Sequence, residues 1–407
     1  MELNTRKQYL LVIIAALGYF VDIYDLTLFG IVRKPSLLNL GIAESELRTV
    51  GSFLLNWQMT GMLLGGLLFG IFGDIKGRVS VLFGSIFLYS AANIANGFVE
   101  TIPQYAALRF IAGIGLAGEL GAGITLISET MSKEKRGWGT MIIVTFGALG
   151  AVLSSLIGDK FHWRTAYFVG GALGLALLVL RVGTYESGMF NQVKQSGVKR
   201  GAFHLIFTKK ESALKYLWCV FIGIPIWYII GILIIFSPEL SKAMQVDGVV
   251  HAPRAVMFAY LGLSAGDLLS GLFSQLIGSR KKVVIGFIAA SVLAISYYLF
   301  VPGMSLNTFY LMCFVLGTST GYWAIFATIA AEQFGTNIRA TVATTVPNFV
   351  RGSVLLLTAG FNFLAPDFGL ITAAAIVGAV SISLALIGTL SIKETFGKDL
   401  DYLEDMG

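Results

Sequence analysis

The chain has 407 residues, 56% of them hydrophobic and only 13% charged, with a mean hydropathy of +0.79. That balance excludes an ordinary soluble domain and points to a protein solvated by lipid. The net charge of +6 is read as membrane topology in preference to a nucleic-acid surface, because positive residues gather on one side of a bilayer.

In chain order, apolar stretches of helical membrane-crossing length fall at 8–30, 49–73, 80–99, 103–127, 138–158 and 164–183. A second set follows at 213–237, 253–277, 283–301, 306–331, 340–364 and 369–392. They predict an all-α membrane protein of twelve transmembrane helices, with six-helix bundles over 1–183 and 213–407 and a cytoplasmic linker over 184–212. Arg6, Lys7, Lys76, Arg78, Lys133, Lys135, Arg136, Arg280, Lys281, Lys282, Arg339, Lys393 and Lys398 fall on one side, as does a cluster within 194–215. Both termini are therefore expected in the cytoplasm of a multi-pass cell-membrane protein. The first stretch carries Asp22 and Asp25 and no small-residue cleavage site, so it reads as a retained span and not a signal peptide. Phe203, Leu205, Ile206 and Phe207 in the polar linker fit a short amphipathic helix on the membrane surface or a flexible connection. Cys219 and Cys313 lie inside spans as small apolar residues, giving no disulfide framework.

Two short charged motifs recur in both halves. Gly70-Ile-Phe-Gly-Asp74-Ile-Lys-Gly77-Arg78 is answered by Gly271-Leu-Phe-Ser-Gln275-Leu-Ile-Gly278-Ser-Arg280, at an offset of 271 − 70 = 201. Glu129 with Arg136 is answered by Glu332 with Arg339, at 332 − 129 = 203. Internal duplication in a membrane protein is the usual plan of a secondary transporter.

Asp22, Asp25, Glu119, Asp267 and Arg351 stand well inside apolar spans, where an ionisable group costs about 2.5–3.5 kcal/mol to insert and marks a functional candidate. Asp22 and Asp25, three apart, share a helix face. Two close carboxylates at low dielectric do not both ionise easily, which is what proton coupling requires. The fourth span packing beside the first would add Glu119 to the cluster. The alternative is a structural cluster paired with Arg109 or with Asn56, Gln58, Asn93 and Asn96. Arg351 offers a planar fork for a carboxylate or phosphate, or else a salt bridge to Asp267 that holds the second half together. Tyr24, Trp57, Trp227, Tyr228, Tyr322, Trp323 and Asn348 are candidates to complete a pocket, although such aromatics also serve packing or interfacial anchoring. Pro225 with Gly231, and Pro347, predict breaks in the seventh and eleventh spans near that pocket. His162, His204 and His251 are in loops and far apart, so no nucleophile, base or metal constellation of an enzyme is present.

These motifs resemble the major facilitator superfamily over essentially the whole chain. Gly70, Asp74, Gly77 and Arg78 match the motif after its second helix, while Val79 departs from it and Gln275 replaces the acid in the second copy. The resemblance implies a cytoplasmic gate of Gly70, Asp74, Gly77, Arg78, Glu129, Arg136, Glu332 and Arg339. Arg109-Phe110 with Gly113, Gly115 and Gly118 is similar to the fourth helix of sugar and organic-ion porters. Tyr185-Glu186-Ser187 and Glu394-Thr395 are weakened sugar-porter motifs without their Pro. Asp22-Ile-Tyr24-Asp25, Gly118-Glu119 and Arg339 with Arg351-Gly352 are similar to segments of aromatic-acid, phosphate and metabolite proton symporters.

The expectation is proton symport of a small carboxylate-bearing metabolite by alternating access. Asp22, Asp25 and Glu119 would serve protons, and Arg351, Tyr24, Trp227, Tyr228, Tyr322, Trp323, Asn348 and Asp267 would serve substrate. Phosphate or sugar symport is the alternative, and a drug exporter or a non-transporting sensor lies further off. The expected partners are the substrate, the proton and the bilayer; the chain is expected to act as a monomer without cofactor, metal or nucleic acid.

Overall fold

In a computed structural model of the protein, the residues described are 5–119, 121, 123, 133–181, 203–335 and 338–398. The first half contains α1 (Thr5–Asn39), α2 (Leu47–Lys76), α3 (Arg78–Asn96), α4 (Ile102–Leu116), α5 (Lys133–Lys160) and α6 (Trp163–Leu180). The second half contains α7 (Lys210–Tyr228), α8 (Ser237–Ala243), α9 (Ala252–Ile277), α10 (Arg280–Phe300) and α11 (Leu306–Ser319). It ends with α12 (Trp323–Glu332), α13 (Arg339–Gly352) and α14 (Val354–Ser391). Among the described residues, 10 helical stretches are long and apolar enough to cross a membrane. The last of these, Thr341–Ser391, has 51 residues, about 75 Å of helix and too long for one crossing. Gly369, at φ 76° and ψ 163°, breaks it.

Local signals set the helix ends. Thr101 and Gln104 form a reciprocal capping box at the start of α4, and the Ser279 and Ser305 hydroxyls cap α10 and α11. Each satisfies a backbone N–H that lipid could not. Two expected breaks take other forms. Pro225 remains inside α7, which then loosens into a π-helical stretch at Ile229–Ile234, as a missing donor permits. Pro347 remains inside α13, and only Ser353, still right-handed at φ −59° and ψ −20°, separates α13 from α14. The sharper break lies at Thr320–Tyr322, between α11 and α12, where no proline stands.

The duplication extends to helix packing. Gly61 and Gly65 of α2 press on the backbone of Phe110 and Ile114 in α4, and Gly113 presses back on Gln58. In the second half, Gly262 and Gly266 of α9 press on Phe314 and Thr318 of α11, and Gly317 presses back on Ala259. The offsets are 262 − 61 = 201 and 266 − 65 = 201. A side chain at any of these glycines would enter its neighbour's backbone, so small residues are what allow the close crossings. Gly77 and Gly278, again 201 apart, end α2 and α9 with φ of 105° and 65°, a region that favours glycine.

The halves meet along α2 with α13 and α5 with α9. Cys219 and Cys313 are buried free thiols. Phe203–Phe207 forms a 3-10 turn whose Phe203 ring packs on Tyr216 and Phe349, so this part of the linker is held against the second half.

Candidate functional site

Arg351 in α13 is fully buried at the junction of the halves, with Nη2 3.6 Å from Oδ2 of Asp22 in α1. This is an ion pair too long to be a hydrogen bond. No guanidinium nitrogen of Arg351 and neither oxygen of Asp22 has a hydrogen-bond partner. The guanidinium carbon is 5.6 Å from the ring centre of Trp323 and 6.0 Å from that of Trp227, within cation–π range. The Trp323 indole N–H donates across the halves to the Tyr19 hydroxyl at 3.1 Å. Tyr19, Trp227, Tyr260, Trp323 and Arg351 line a cavity of about 20 Å³, room for a water and not for an organic molecule. The expected alternative for Arg351, a bridge to Asp267, is not what forms. Asp267 faces the break in the tenth span, where its Oδ1 accepts the Ala324 N–H at 3.0 Å. It thereby satisfies a donor at the start of α12.

The three acids of the first half, expected as one cluster, take different partners. Asp25 is fully buried and turns into its own half, its Oδ1 against Gly170 of α6 and the charge of Arg109 opposing its own. Neither Asp25 oxygen is hydrogen-bonded. Arg109 lies over the rings of Phe29 at 5.4 Å and Tyr167 at 5.8 Å. Glu119 does not pair with Arg109. It holds Arg181 with both oxygens, one arm at 3.0 Å and the other shorter, and the pair packs against the α1 backbone at Gly18. Arg181 is the functional candidate missed in the sequence: at the end of the sixth span it looks like one more topology charge. Tyr19 had a readable signal, standing three residues before Asp22 on the same helix face.

Other candidates fall into two groups. Trp227 and Trp323 reach the Arg351 cavity, and Asn348 joins the halves by donating to the Ala117 carbonyl at 2.8 Å. The tyrosines brace their own halves: Tyr24 donates to the Ala166 carbonyl, Tyr228 to Ala374 and Tyr322 to Ile222. Trp57 is 41% exposed, packed on Phe53 and Phe110 away from the cavity.

Of the expected gate, the side chains of Asp74, Arg78 and Arg136, and the whole of Glu129, lie outside the described residues. Gly70 faces Thr341 and Thr345 of α13. Glu332 pairs with Arg280 at 2.7 Å, and Arg339 Nε donates to the Ala331 carbonyl at 3.3 Å. Beside them, Glu394 accepts from the Ser279 hydroxyl and from the backbone N–H groups of Arg280, Lys281 and Phe396. Burial pushes that carboxyl up, yet these donors outweigh it and hold it at about 2. At the opposite end of the bundle Arg33 pairs across the halves with Glu239 at 2.6 Å, under the Phe236 ring, and Arg48 donates to Asn362 at 3.1 Å.

The sequence profile of the Major Facilitator Superfamily matches residues 15–358. The "Probable 4-methylmuconolactone transporter" of Cupriavidus pinatubonensis is 24% identical, over 93% of this chain and 89% of that protein. The niacin transporter NiaP of Acinetobacter baylyi is 25% identical, over 82% of each. Among solved structures, the proton:xylose symporter XylE bound to 6-bromo-6-deoxy-D-glucose superposes with a TM-score of 0.78 at 18% identity, covering 98% of both chains. At that identity the likeness is one of fold. The family profile, the transporter relatives and the shared architecture place this chain in the Major Facilitator Superfamily, as a multi-pass membrane transporter and not an enzyme.

Proposed function

We propose that the protein carries a small carboxylate-bearing metabolite inward together with protons, by alternating access of two six-helix halves in the cell membrane. The full count of twelve spans, cytoplasmic termini and action as a monomer belong to the same proposal. The observation that carries it is the Arg351–Asp22 pair, a cross-half ion pair at 3.6 Å that leaves the guanidinium hydrogen bonds unmade. A ligand carboxylate can supply those bonds bidentately and displace Asp22. The released carboxylate, buried without a partner, then gains from taking a proton. Anion binding and proton uptake thus become one event. Asp25 beside Arg109 is the second proton-accepting candidate, since its oxygens are also unpartnered. Glu119, held at both oxygens by Arg181, serves instead as a fixed brace between the fourth span and the end of α6.

The test is thermal stabilisation of the purified protein by carboxylates, phosphate, sugars and organic cations, with Arg351→Ala beside wild type. Proteoliposomes with an inward proton gradient then test accumulation. Stabilisation by a carboxylate that vanishes in Arg351→Ala, with gradient-driven uptake of the same compound, is the expected result. Stabilisation by sugars or cations alone refutes the proposal.

A further inference from the structure

A second, larger cavity of about 290 Å³ lies on the other side of the Trp323–Ala324 backbone step from Arg351, between α5, α9 and α12. Trp323 lines the small cavity with Arg351, and Ala324 lines the large one with Asp267. The walls of the large cavity are chiefly apolar, from Met141, Leu268, Leu272 and Ile325, with Gln275 and Arg280 also lining it, and it opens on the side of the exposed Leu268 and Leu272. Its buried charge is Asp267, fully enclosed, with Oδ1 held by the Ala324 N–H and Oδ2 without any hydrogen bond. A buried carboxylate oxygen without a hydrogen bond is costly unless a donor meets it. The space beside it suits an organic molecule, whereas the Arg351 cavity does not. The Trp323–Tyr19 hydrogen bond, 3.1 Å across the halves, holds the indole at the wall of the small cavity.

From this juxtaposition we infer that the two cavities are the ends of one substrate site and that Asp267 selects the substrate's far end: the cargo carries, besides its carboxylate, a hydrogen-bond-donating hydroxyl or ammonium group on an apolar body. The inference rests on the reading of Arg351 as the carboxylate anchor and adds a second polar requirement to it. Trp323 must swing from Tyr19 when such a molecule spans the two cavities. A site that hydrogen-bonds a substrate donor rejects the analogue lacking it, because its own acceptor is then left unpaired.

The experiment compares two near-isosteric probes, 4-(1-hydroxyethyl)benzoate and 4-acetylbenzoate, by their equilibrium affinity for the purified full chain. Wild type is expected to favour the hydroxyl probe by about tenfold or more, the scale of a hydrogen bond to a charged group. Asp267→Asn keeps an oxygen for the Ala324 N–H and puts an amide donor where the bare oxygen stood, so the preference should invert toward the acetyl probe. A purely structural role for Asp267 would weaken both probes alike and leave their ratio unchanged. Equal affinities in wild type overturn the inference whatever the variant does, and so does a hydroxyl preference that survives in a folded Asp267→Asn. If both probes bind and both are lost in Arg351→Ala, such a result leaves the carboxylate anchor standing. If neither probe nor any other carboxylate binds wild type, the anchor itself falls and this inference with it.

Discussion

Replacing Asp22 by Asn removes the charge that, in the proposed function, competes with substrate for Arg351, while keeping the shape of the side chain. At 3.6 Å, the Coulomb attraction between the two groups is about 1 kcal/mol at the dielectric constant of water and about 4.6 kcal/mol at an effective value near 20. An anion that must break this pair in wild type and need not do so in Asp22→Asn should therefore bind the variant from about sevenfold to over a thousandfold more tightly. The unliganded variant should melt earlier, since a buried guanidinium deprived of its counter-charge costs about 3–5 kcal/mol, and the bound carboxylate should restore the loss. The assay is calorimetric titration of wild type and variant with the carboxylate that stabilises wild type, paired with counterflow in proteoliposomes. Counterflow should persist and proton-driven accumulation should stop. Unchanged or weaker binding by a folded Asp22→Asn protein would refute the idea that Asp22 and substrate compete for one guanidinium.

Asp25→Asn should abolish uptake driven by a pH gradient while sparing substrate exchange; equal loss of both in a transport assay would remove Asp25 from proton coupling. Glu119→Gln should act on the fold, because it strips a doubly hydrogen-bonded partner from buried Arg181. A drop in unfolding free energy of about 3–5 kcal/mol is expected, and a fully stable variant defective only in proton-driven uptake would reverse that assignment. The Glu394 carboxyl has a folded value of about 2 against an ordinary 4.5, so its contribution to holding the 394–398 segment is present above about pH 4.5 and lost as pH falls toward 2. Amide exchange in that segment should accelerate over this window in wild type and be already fast at neutral pH in Glu394→Gln; no change in either case would contradict the tether.

The fold was legible because lipid imposes long apolar helices, and because the repeated Gly70–Arg78 and Gly271–Arg280 segments expose the duplication. The candidate site was legible to the level of which buried charges the spans hold: Asp22, Asp25, Glu119, Asp267 and Arg351 stand out from an apolar background by insertion cost alone. Which of them pair was not legible. Whether Arg351 meets Asp22 or Asp267 depends on the rotation of α13 about its axis relative to α1 and α9, and that rotation is set by packing across the whole junction. Asp22 and Asp25 share a face by spacing, yet 60° of helical rotation sends one to the other half and one to Gly170. Proline marked the wrong discontinuities, since a π-helical stretch absorbed Pro225 while Thr320–Tyr322 broke without one.

The close glycine crossings bear on how the carrier changes state. Gly61, Gly65 and Gly113 lock one half backbone to backbone as Gly262, Gly266 and Gly317 lock the other, so both halves are blocks of one pattern and closing either end joins like parts. Such a frame keeps each half rigid, so that a change of state is a rocking of whole blocks about their junction. The chemistry is where the copies have diverged: the counterpart of Arg351 is uncharged at either offset the motifs give, Gly150 (351 − 201 = 150) or Ala148 (351 − 203 = 148), and that of Asp22 is Gly223 (22 + 201 = 223). Between such blocks a single ion pair of a few kcal/mol across the junction can shift the balance of inward- and outward-facing states, and that bias rests on the few positions at which the two copies no longer agree.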